Sequence, residues 1–171
     1  MKKLTKKDGT ILPYRILKWS SLIEGSLDIK IGIFSEDVST ELAIYKVLPD
    51  GYRSKLSLPF SAIGTNQFKE TTILECREYG QYNTITNSST LANFSVPIIT
   101  GDSGSPVFTV AENNELILLN CWHHGGSTPD GPFIADFKPV INSAMSELSK
   151  ALNLSSNYQL IEVDLSKYPN V

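Results

Sequence analysis

The apolar residues of this chain recur in short alternating runs separated by turn residues, and this pattern is the strongest constraint on its fold. The clearest run spans residues 28–34, where Ile29, Ile31 and Ile33 fall on one face of an extended segment. Alternation of this kind is typical of half-buried β-strands. The same reasoning predicts extended segments at residues 11–19, 41–48, 71–76, 91–99, 107–110, 115–122 and 158–165.

Polar and turn-forming residues separate these runs. Residues 112–114 predict a hairpin turn between the runs at 107–110 and 115–122. Residues 83–95 are rich in Asn, Thr and Ser, and residues 125–131 are rich in Gly, Ser and Pro, so we interpret both stretches as loops.

One helix is predicted, over residues 137–152. Its apolar residues fall at helical spacing, and Pro139 lies in the first turn, where proline is tolerated. These apolar residues are Val140, Ile141, Met145, Leu148 and Leu152. Many short strands followed by one late helix indicate an all-β barrel or sandwich.

The composition excludes several classes of protein. With 171 residues, 41% of them hydrophobic and 19% charged, the chain can bury a core and is not a disordered segment. A net charge of -3 argues against nucleic acid as a partner. Lys2, Lys3, Lys6 and Lys7 are interpreted as a solvated tail. We predict no membrane span and no signal peptide, so the sequence is cytosolic, exported by another route or a fragment.

The cysteines and histidines point to no metal or cofactor. Cys76 and Cys121 lie in apolar contexts and are interpreted as free buried thiols, with a single disulfide as the alternative. His123 and His124 are adjacent but lack further ligands at suitable spacing for a metal ion.

Residues 101–106 carry the pattern most suggestive of chemistry, and they read Gly-Asp-Ser-Gly-Ser-Pro. A serine hydroxyl becomes a useful nucleophile only with a base, a group that orients the base, and donors for the developing oxyanion. In a tight turn here, the amides of Gly101 and Ser103 can point into one small space and form an oxyanion hole. Removing one such donor costs roughly 3–4 kcal/mol of transition-state stabilisation. The alternative is an ordinary β-turn, which these residue types also favour.

With this serine turn, the chain resembles the trypsin/chymotrypsin-like serine peptidase family, and the resemblance covers about residues 10–152. Besides the serine turn, residues 28–34 resemble the family strand that opens with an aspartate, and Leu48 and Pro49 follow at a similar distance. Trp122 matches the tryptophan of the strand that lines the substrate channel, and the helix at 137–152 matches the C-terminal helix. More narrowly, the pattern is similar to truncated members encoded by bacteriophages and environmental viral genomes.

The resemblance implies roles for individual residues. Ser103 would be the nucleophile, Asp28 the acid that orients the base, the amides of Gly101 and Ser103 the oxyanion donors, and Asp102 the carboxylate that fixes the turn. No acidic residue lies at the base of the specificity pocket, so an apolar substrate side chain is expected there. That substrate pocket would be lined by Pro97, Ile98, Ile99, Trp122 and His123.

The implied fold is a chymotrypsin-like Greek-key double barrel with an incomplete first barrel and a C-terminal helix. Residues 1–60 would form the partial first barrel, without its histidine-bearing part. Residues 61–171 would form the second barrel with the serine turn, the helix and a final strand. Half a barrel exposes strand edges and apolar surface. We therefore expect one of two arrangements. The chain associates with another copy or with a partner chain that completes the first barrel, or its first barrel is shortened and covered by the N-terminal segment.

The family's catalytic histidine is missing, because no histidine precedes Asp28 and both histidines follow Ser103. His123 or His124 as the base is an alternative that the family geometry disfavours. The chain is thus expected to be the C-terminal portion of a longer or split serine endopeptidase acting on peptides or proteins, or a trimmed, inactive relative. Little activity is expected of the isolated chain. A non-catalytic structural or binding protein, for example of a viral particle, and an unrelated β-sandwich binding module remain alternatives. The location, in a virion or in host cytoplasm, is undetermined.

Overall fold

The computed structural model describes residues 9–21, 23, 28–40, 42–52, 60–66, 71–79, 84–87, 99–111, 113–123 and 130–167. Contacts divide the chain into two compact units. The first unit comprises Met1–Ile44 and Pro139–Gln159, and the second comprises Tyr45–Lys138 and Leu160–Val171. The sequence-based division lay at residue 60, whereas here the division lies at residue 45 and part of the C-terminal region belongs to the first unit.

The described chain consists mostly of β-strands with one α-helix near its C-terminal end, which confirms the predicted class. The strands in chain order are β1 (Ile16–Trp19), β2 (Gly32–Phe34), β3 (Lys46–Val47), β4 (Phe60–Thr65), β5 (Thr71–Tyr79), β6 (Thr84–Asn87), β7 (Pro106–Val110), β8 (Leu116–Cys121) and β9 (Asp130–Pro132). Helix α1 spans Lys138–Ala151, close to the predicted 137–152. Short 3-10 turns occupy Ile134–Phe137 and Leu165–Lys167.

The first unit contains a two-stranded antiparallel sheet of β1 and β2. The extended segment predicted to begin at Asp28 is shorter than expected, since regular pairing begins only at Gly32. Asp28 has φ of 49°, a left-handed conformation that interrupts an extended run, and Ile29 forms only an isolated bridge with Ile23. The part of α1 from Pro139 onward belongs to this unit, and its side chains Ile141, Ala144 and Leu148 are buried.

The second unit contains a seven-stranded sheet in the order β3-β8-β7-β4-β5-β6-β9. All its strand pairs are antiparallel except the parallel pair of β3 and β8. Three consecutive strands, β4, β5 and β6, lie side by side, and β7 returns to pair with β4. This order, fourth strand beside the first, defines a Greek key.

The sheet curls so that its last strand, β9, comes to lie against β8. The side-chain amide of Asn120 in β8 donates a 3.0 Å hydrogen bond to the carbonyl oxygen of Gly131 in β9. A Cβ atom at Gly131 would lie 2.1 Å from the carbonyl oxygen of Cys121, so the two backbones approach as closely as glycine allows.

Alternation along the strands builds the core of the second unit. Ile117 and Leu119 point inward from β8 and are completely or almost completely buried. They join a single cluster of buried side chains that spans the unit, with Leu48, Tyr52, Ala62, Val107, Ala111, Trp122, Phe133, Ala135, Val163 and Leu165. The serine turn leads directly into β7, so it is attached to this core.

Several sequence-based expectations differ from the structure of this unit, and the strand predicted over 91–99 lies outside the described residues except for Ile99. Residues 84–87 were expected in a loop but form β6, because β5 and β9 pair with this polar segment on both sides. The strand β4 was not predicted. The expected final strand over 158–165 is reduced to an isolated bridge between Glu162 and Val47. The amide of Val47 donates to the carbonyl of Ile161, and the amide of Val163 donates to the carbonyl of Val47, each over 2.9 Å.

Candidate functional site

Residues 99–105 form a tight turn immediately before β7. The amide of Asp102 donates to the carbonyl of Ile99 over 3.1 Å, and the amide of Ser105 donates to the carbonyl of Asp102 over 2.9 Å. Gly101 and Gly104 have φ of 103° and 87°. Residues with a side chain rarely adopt such angles, so the two glycines explain why the sequence can turn twice within five residues.

The side chain of Asp102 holds this turn from the inside. Its exposed fraction is 0%, and its Oδ2 atom accepts a 2.7 Å hydrogen bond from the amide of Ile99. A short bond from an amide to a carboxylate is stronger than one between neutral groups. The carboxylate therefore ties the start of the turn to its centre, which leaves the neighbouring Ser103 exposed to solvent.

Trp122 anchors the other end of the turn. Its carbonyl accepts from the amide of Gly104 over 2.8 Å, and its amide donates to the carbonyl of Ser105 over 2.9 Å. The indole is buried, and its Nε1 donates to the carbonyl of Thr65 over 3.1 Å. The turn is thus attached through β8 to the rest of the sheet, and a shift in the pairing of β7 and β8 between Val107 and Phe108 lies close beside it.

The hydroxyl of Ser103 lies at the surface and donates a long hydrogen bond, 3.4 Å, to the carbonyl oxygen of His123. A carbonyl oxygen cannot take up the hydroxyl proton as a base does. The hydrogen bond therefore orients Ser103 without activating it as a nucleophile.

Two amides of the turn are left for an external acceptor. The amides of Asp102, Gly104 and Ser105 are all engaged by carbonyls of the chain. Within the described residues, the amides of Gly101 and Ser103 make no hydrogen bond. These are the two donors that sequence reasoning assigned to an oxyanion hole, and they flank a serine hydroxyl.

The other residues predicted for the site are distributed as follows. Asp28 belongs to the first unit and is exposed, whereas Ser103 belongs to the second. Ile99 has an exposed fraction of 45%. His123 is half-buried, and the indole of Trp122 lies in the core. Pro97, Ile98 and His124 lie outside the described residues.

The remaining chemistry of the region is limited. Burial raises the pKa of the Cys121 thiol to about 11, so this free cysteine stays protonated and is a poor nucleophile near neutral pH. The side chain of Cys76 is not among those described.

Within the described ranges no group of acidic, histidine and cysteine residues could hold a metal ion. No helix within these ranges has the length and apolar character to cross a membrane.

Sequence reasoning placed Trp122 in a substrate pocket and missed its role as an anchor of the turn. The predicted hairpin contained a signal for this anchor. When β7 and β8 pair from Val110 and Leu116 and the register shifts by one residue, Ser105 lies opposite Trp122. The contribution of Thr65 left no such signal, since it comes from β4, a strand that the pattern did not predict.

Comparison of the chain with protein-family models, with curated proteins and with solved structures found no match in any of the three.

Proposed function

We propose that this chain is a serine endopeptidase of the trypsin-like type, or the serine-bearing portion of one, which cleaves peptide bonds through an acyl-enzyme on Ser103. The observation that carries the proposal is the combination of an exposed serine hydroxyl with two unbonded amides, those of Gly101 and Ser103, in one rigid turn. The amides of Asp102, Gly104 and Ser105 are engaged by carbonyls of the chain, so those of Gly101 and Ser103 are the two donors of the turn that an oxyanion could use.

In this mechanism Ser103 Oγ attacks the carbonyl carbon of the substrate. The two amides receive the negative charge that develops on the carbonyl oxygen, and they are held in place because Asp102 and Trp122 fix the turn from both ends. Collapse of the tetrahedral intermediate expels the amine, which takes up the proton that the base removed from Ser103. Water, deprotonated by the same base, then hydrolyses the acyl-enzyme, and the proton returns to Ser103 Oγ.

The mechanism needs a base for the Ser103 proton, and the hydrogen bond of Ser103 to a carbonyl does not supply one. The base would be His123, His124 or a histidine of another chain, with Asp28 as the acid that orients it in the family pattern. Without the base, catalysis falls by several orders of magnitude, and only the contribution of the oxyanion hole and of binding remains.

The strand order of the second unit supports the trypsin-like proposal. The Greek key of β7, β4, β5 and β6, together with the approach of β9 to β8, is the connectivity expected of one closed antiparallel barrel. The serine turn leads into β7, and α1 follows β9. We propose that this barrel is the second of a chymotrypsin-like pair, with a partial first barrel in the N-terminal region.

A second candidate function is a non-catalytic binding or structural role, such as a component of a viral particle. The observation in its favour is that the hydroxyl of Ser103 is bonded to the carbonyl of His123 and not to a base. In this case the turn would be an inherited feature that stabilises the sheet.

Labelling with a fluorophosphonate serine probe, measured by intact mass, tests the proposal. An active endopeptidase gives one label on the wild-type chain, none on Ser103→Ala, and a wild-type level of label on Ser105→Ala, whereas a serine-bearing portion that lacks its base gives no label on any of the three. Ser105 is the matched control because it lies in the same turn and its backbone, not its side chain, carries the hydrogen bonds described. Label on all three proteins would overturn Ser103 as the nucleophile. Label on none of them would overturn an active endopeptidase in the isolated chain and would leave the serine-bearing portion without its base and the binding role.

A further inference from the structure

The first unit holds a cavity of about 660 Å³, within the size range of ligand and peptide sites. Its walls come from β2, from Val38, Ser39 and residues 42–44, from Met145 and Leu148 of α1, and from Leu152 just after α1. Every residue that lines the cavity belongs to this unit. The cavity therefore belongs to a different unit from the serine turn.

The cavity runs along the edge of β2 and does not lie against one face of the sheet. Consecutive residues 31–35 all line it, although successive side chains of a strand point to opposite faces. From β1, the partner strand, only Leu17 lines it. Among the described residues, no strand pairs with β2 on the edge opposite β1. An unpaired strand edge presents backbone donors and acceptors to another strand.

Four large apolar side chains that line the cavity are also exposed to solvent. The exposed fractions are 48% for Leu17, 61% for Ile44, 41% for Leu154 and 49% for Tyr158. Large apolar side chains that stay exposed around an apolar cavity mark a binding surface. An occupant with apolar side chains would cover them.

The rim also carries two carboxylates, Glu36 and Asp37. Hydrogen bonds from the side chain and the amide of Ser39 lower the pKa of Asp37, so its carboxylate remains charged in mildly acidic solution. No lysine or arginine lines the cavity. Within the described part of the chain neither carboxylate has an ion-pair partner. The charge of the rim therefore complements a cationic group.

We propose that the free edge of β2 and the adjoining cavity bind an extended peptide segment of another protein, which adds as a third strand. Its apolar side chains, at alternate positions, enter the cavity, and a lysine or arginine lies beside Glu36 and Asp37. Backbone pairing supplies affinity in this mode of recognition, and the pockets for alternate side chains supply specificity. The proposal does not depend on the chemistry of Ser103.

A synthetic peptide tests the proposal. The probe is a fluorescein-labelled hexapeptide of sequence lysine-valine-serine-valine-serine-valine, titrated with the full chain and followed by fluorescence anisotropy. We expect saturable binding that is weakened about tenfold or more when alternate backbone amides of the peptide are methylated. Amide chemical shifts should change at residues 31–37 and 42–44.

Protein variants test the acidic rim. We expect Glu36→Gln with Asp37→Asn to weaken the lysine peptide about two- to fivefold, as for exposed ion pairs. The matched control is Glu147→Gln, an exposed helix residue of the same unit outside the cavity lining, which should bind like wild type.

Three results would overturn the proposal. The first is no saturable binding of the lysine peptide, and the second is equal binding of the methylated peptide. The third is concentration-dependent dimerisation of the chain, seen by sedimentation equilibrium, with shift changes at the same residues, which would make a second copy the occupant.

Discussion

At the scale of single residues, the serine turn combines a completely buried carboxylate with an exposed hydroxyl one position later. Asp102 and Ser103 can be neighbours on opposite sides of the surface because Gly101 and Gly104 on either side adopt positive φ angles. The buried carboxylate fixes the backbone, and the backbone in turn fixes which amides face solvent. The exposure of the Ser103 hydroxyl is therefore set by the neighbouring residues of the turn.

Replacing Gly104 tests how far the turn depends on its backbone conformation. A Cβ atom at this position would meet no atom within 4 Å, so Gly104→Ala adds no clash and its cost comes from φ of 87° alone. We expect a loss of about 1–2 kcal/mol in the free energy of unfolding, measured by urea denaturation. Gly104→Asn should lose less, because asparagine tolerates this region better. Equal stability of Gly104→Ala and wild type would contradict the account.

At the scale of elements, the approach of β9 to β8 decides whether the sheet of the second unit is open or curled. Asn120 bridges the two strands through its side-chain amide, while its buried Oδ1 atom has no hydrogen-bond partner. A buried acceptor without a hydrogen-bond partner costs free energy. The structure contains the Asn120 bridge in spite of this cost. Close approach of the strands at Gly131 is what makes the bridge short enough to form.

Gly131→Ala tests this contact. The new Cβ atom would lie 2.1 Å from a backbone oxygen of Cys121, and a backbone atom cannot move aside as a flexible side chain can. We expect the free energy of unfolding to fall by about 3 kcal/mol or more, beyond the loss in Gly104→Ala, which lacks the clash. If urea denaturation shows that Gly131→Ala is as stable as wild type, β9 does not lie against β8.

At the scale of the whole molecule, one buried lysine joins three segments that are distant in sequence. Lys138, at the start of α1, binds Glu162 through a short ion pair and Asp50, which follows β3, at 2.8 Å. Burial of the ammonium group lowers its pKa, but the hydrogen bonds and charges of Asp50 and Glu162 outweigh burial, so the pKa of Lys138 is raised overall. The charged form is thus favoured by folding.

The raised pKa predicts how stability depends on pH. Because the folded pKa exceeds the unfolded value of about 10.4, the stabilisation is complete below that pH and is lost as pH rises through the folded pKa. We expect Lys138→Met to lose about 1–2 kcal/mol at pH 7, since both carboxylates can return to water. Urea denaturation should show that this difference from wild type shrinks above about pH 10.4. A difference that stays constant up to pH 12 would contradict the assignment.

Much of the fold could be predicted from the sequence where a signal was local. The hairpin of β7 and β8, the strand β5 and the helix α1 follow from alternation, turn residues and helical spacing. The turn at Ser103 could be predicted because glycine at positions 101 and 104 is a local requirement for positive φ. The burial of Asp102 and the engagement of its carboxylate by the amide of Ile99 fit the same local pattern.

What the sequence alone determined is therefore the class of the fold, strands with one helix, and the serine turn with its open amides, since both depend on contacts between residues close in sequence. Only the tertiary structure decided that polar residues 84–87 form β6 and that Trp122 anchors the turn to Thr65. It also decided that an edge of β2, with no partner strand among the described residues, lies beside an apolar cavity. These features arise from pairing between segments that are distant in sequence, and the partner in such pairing leaves no trace in the local pattern of either segment.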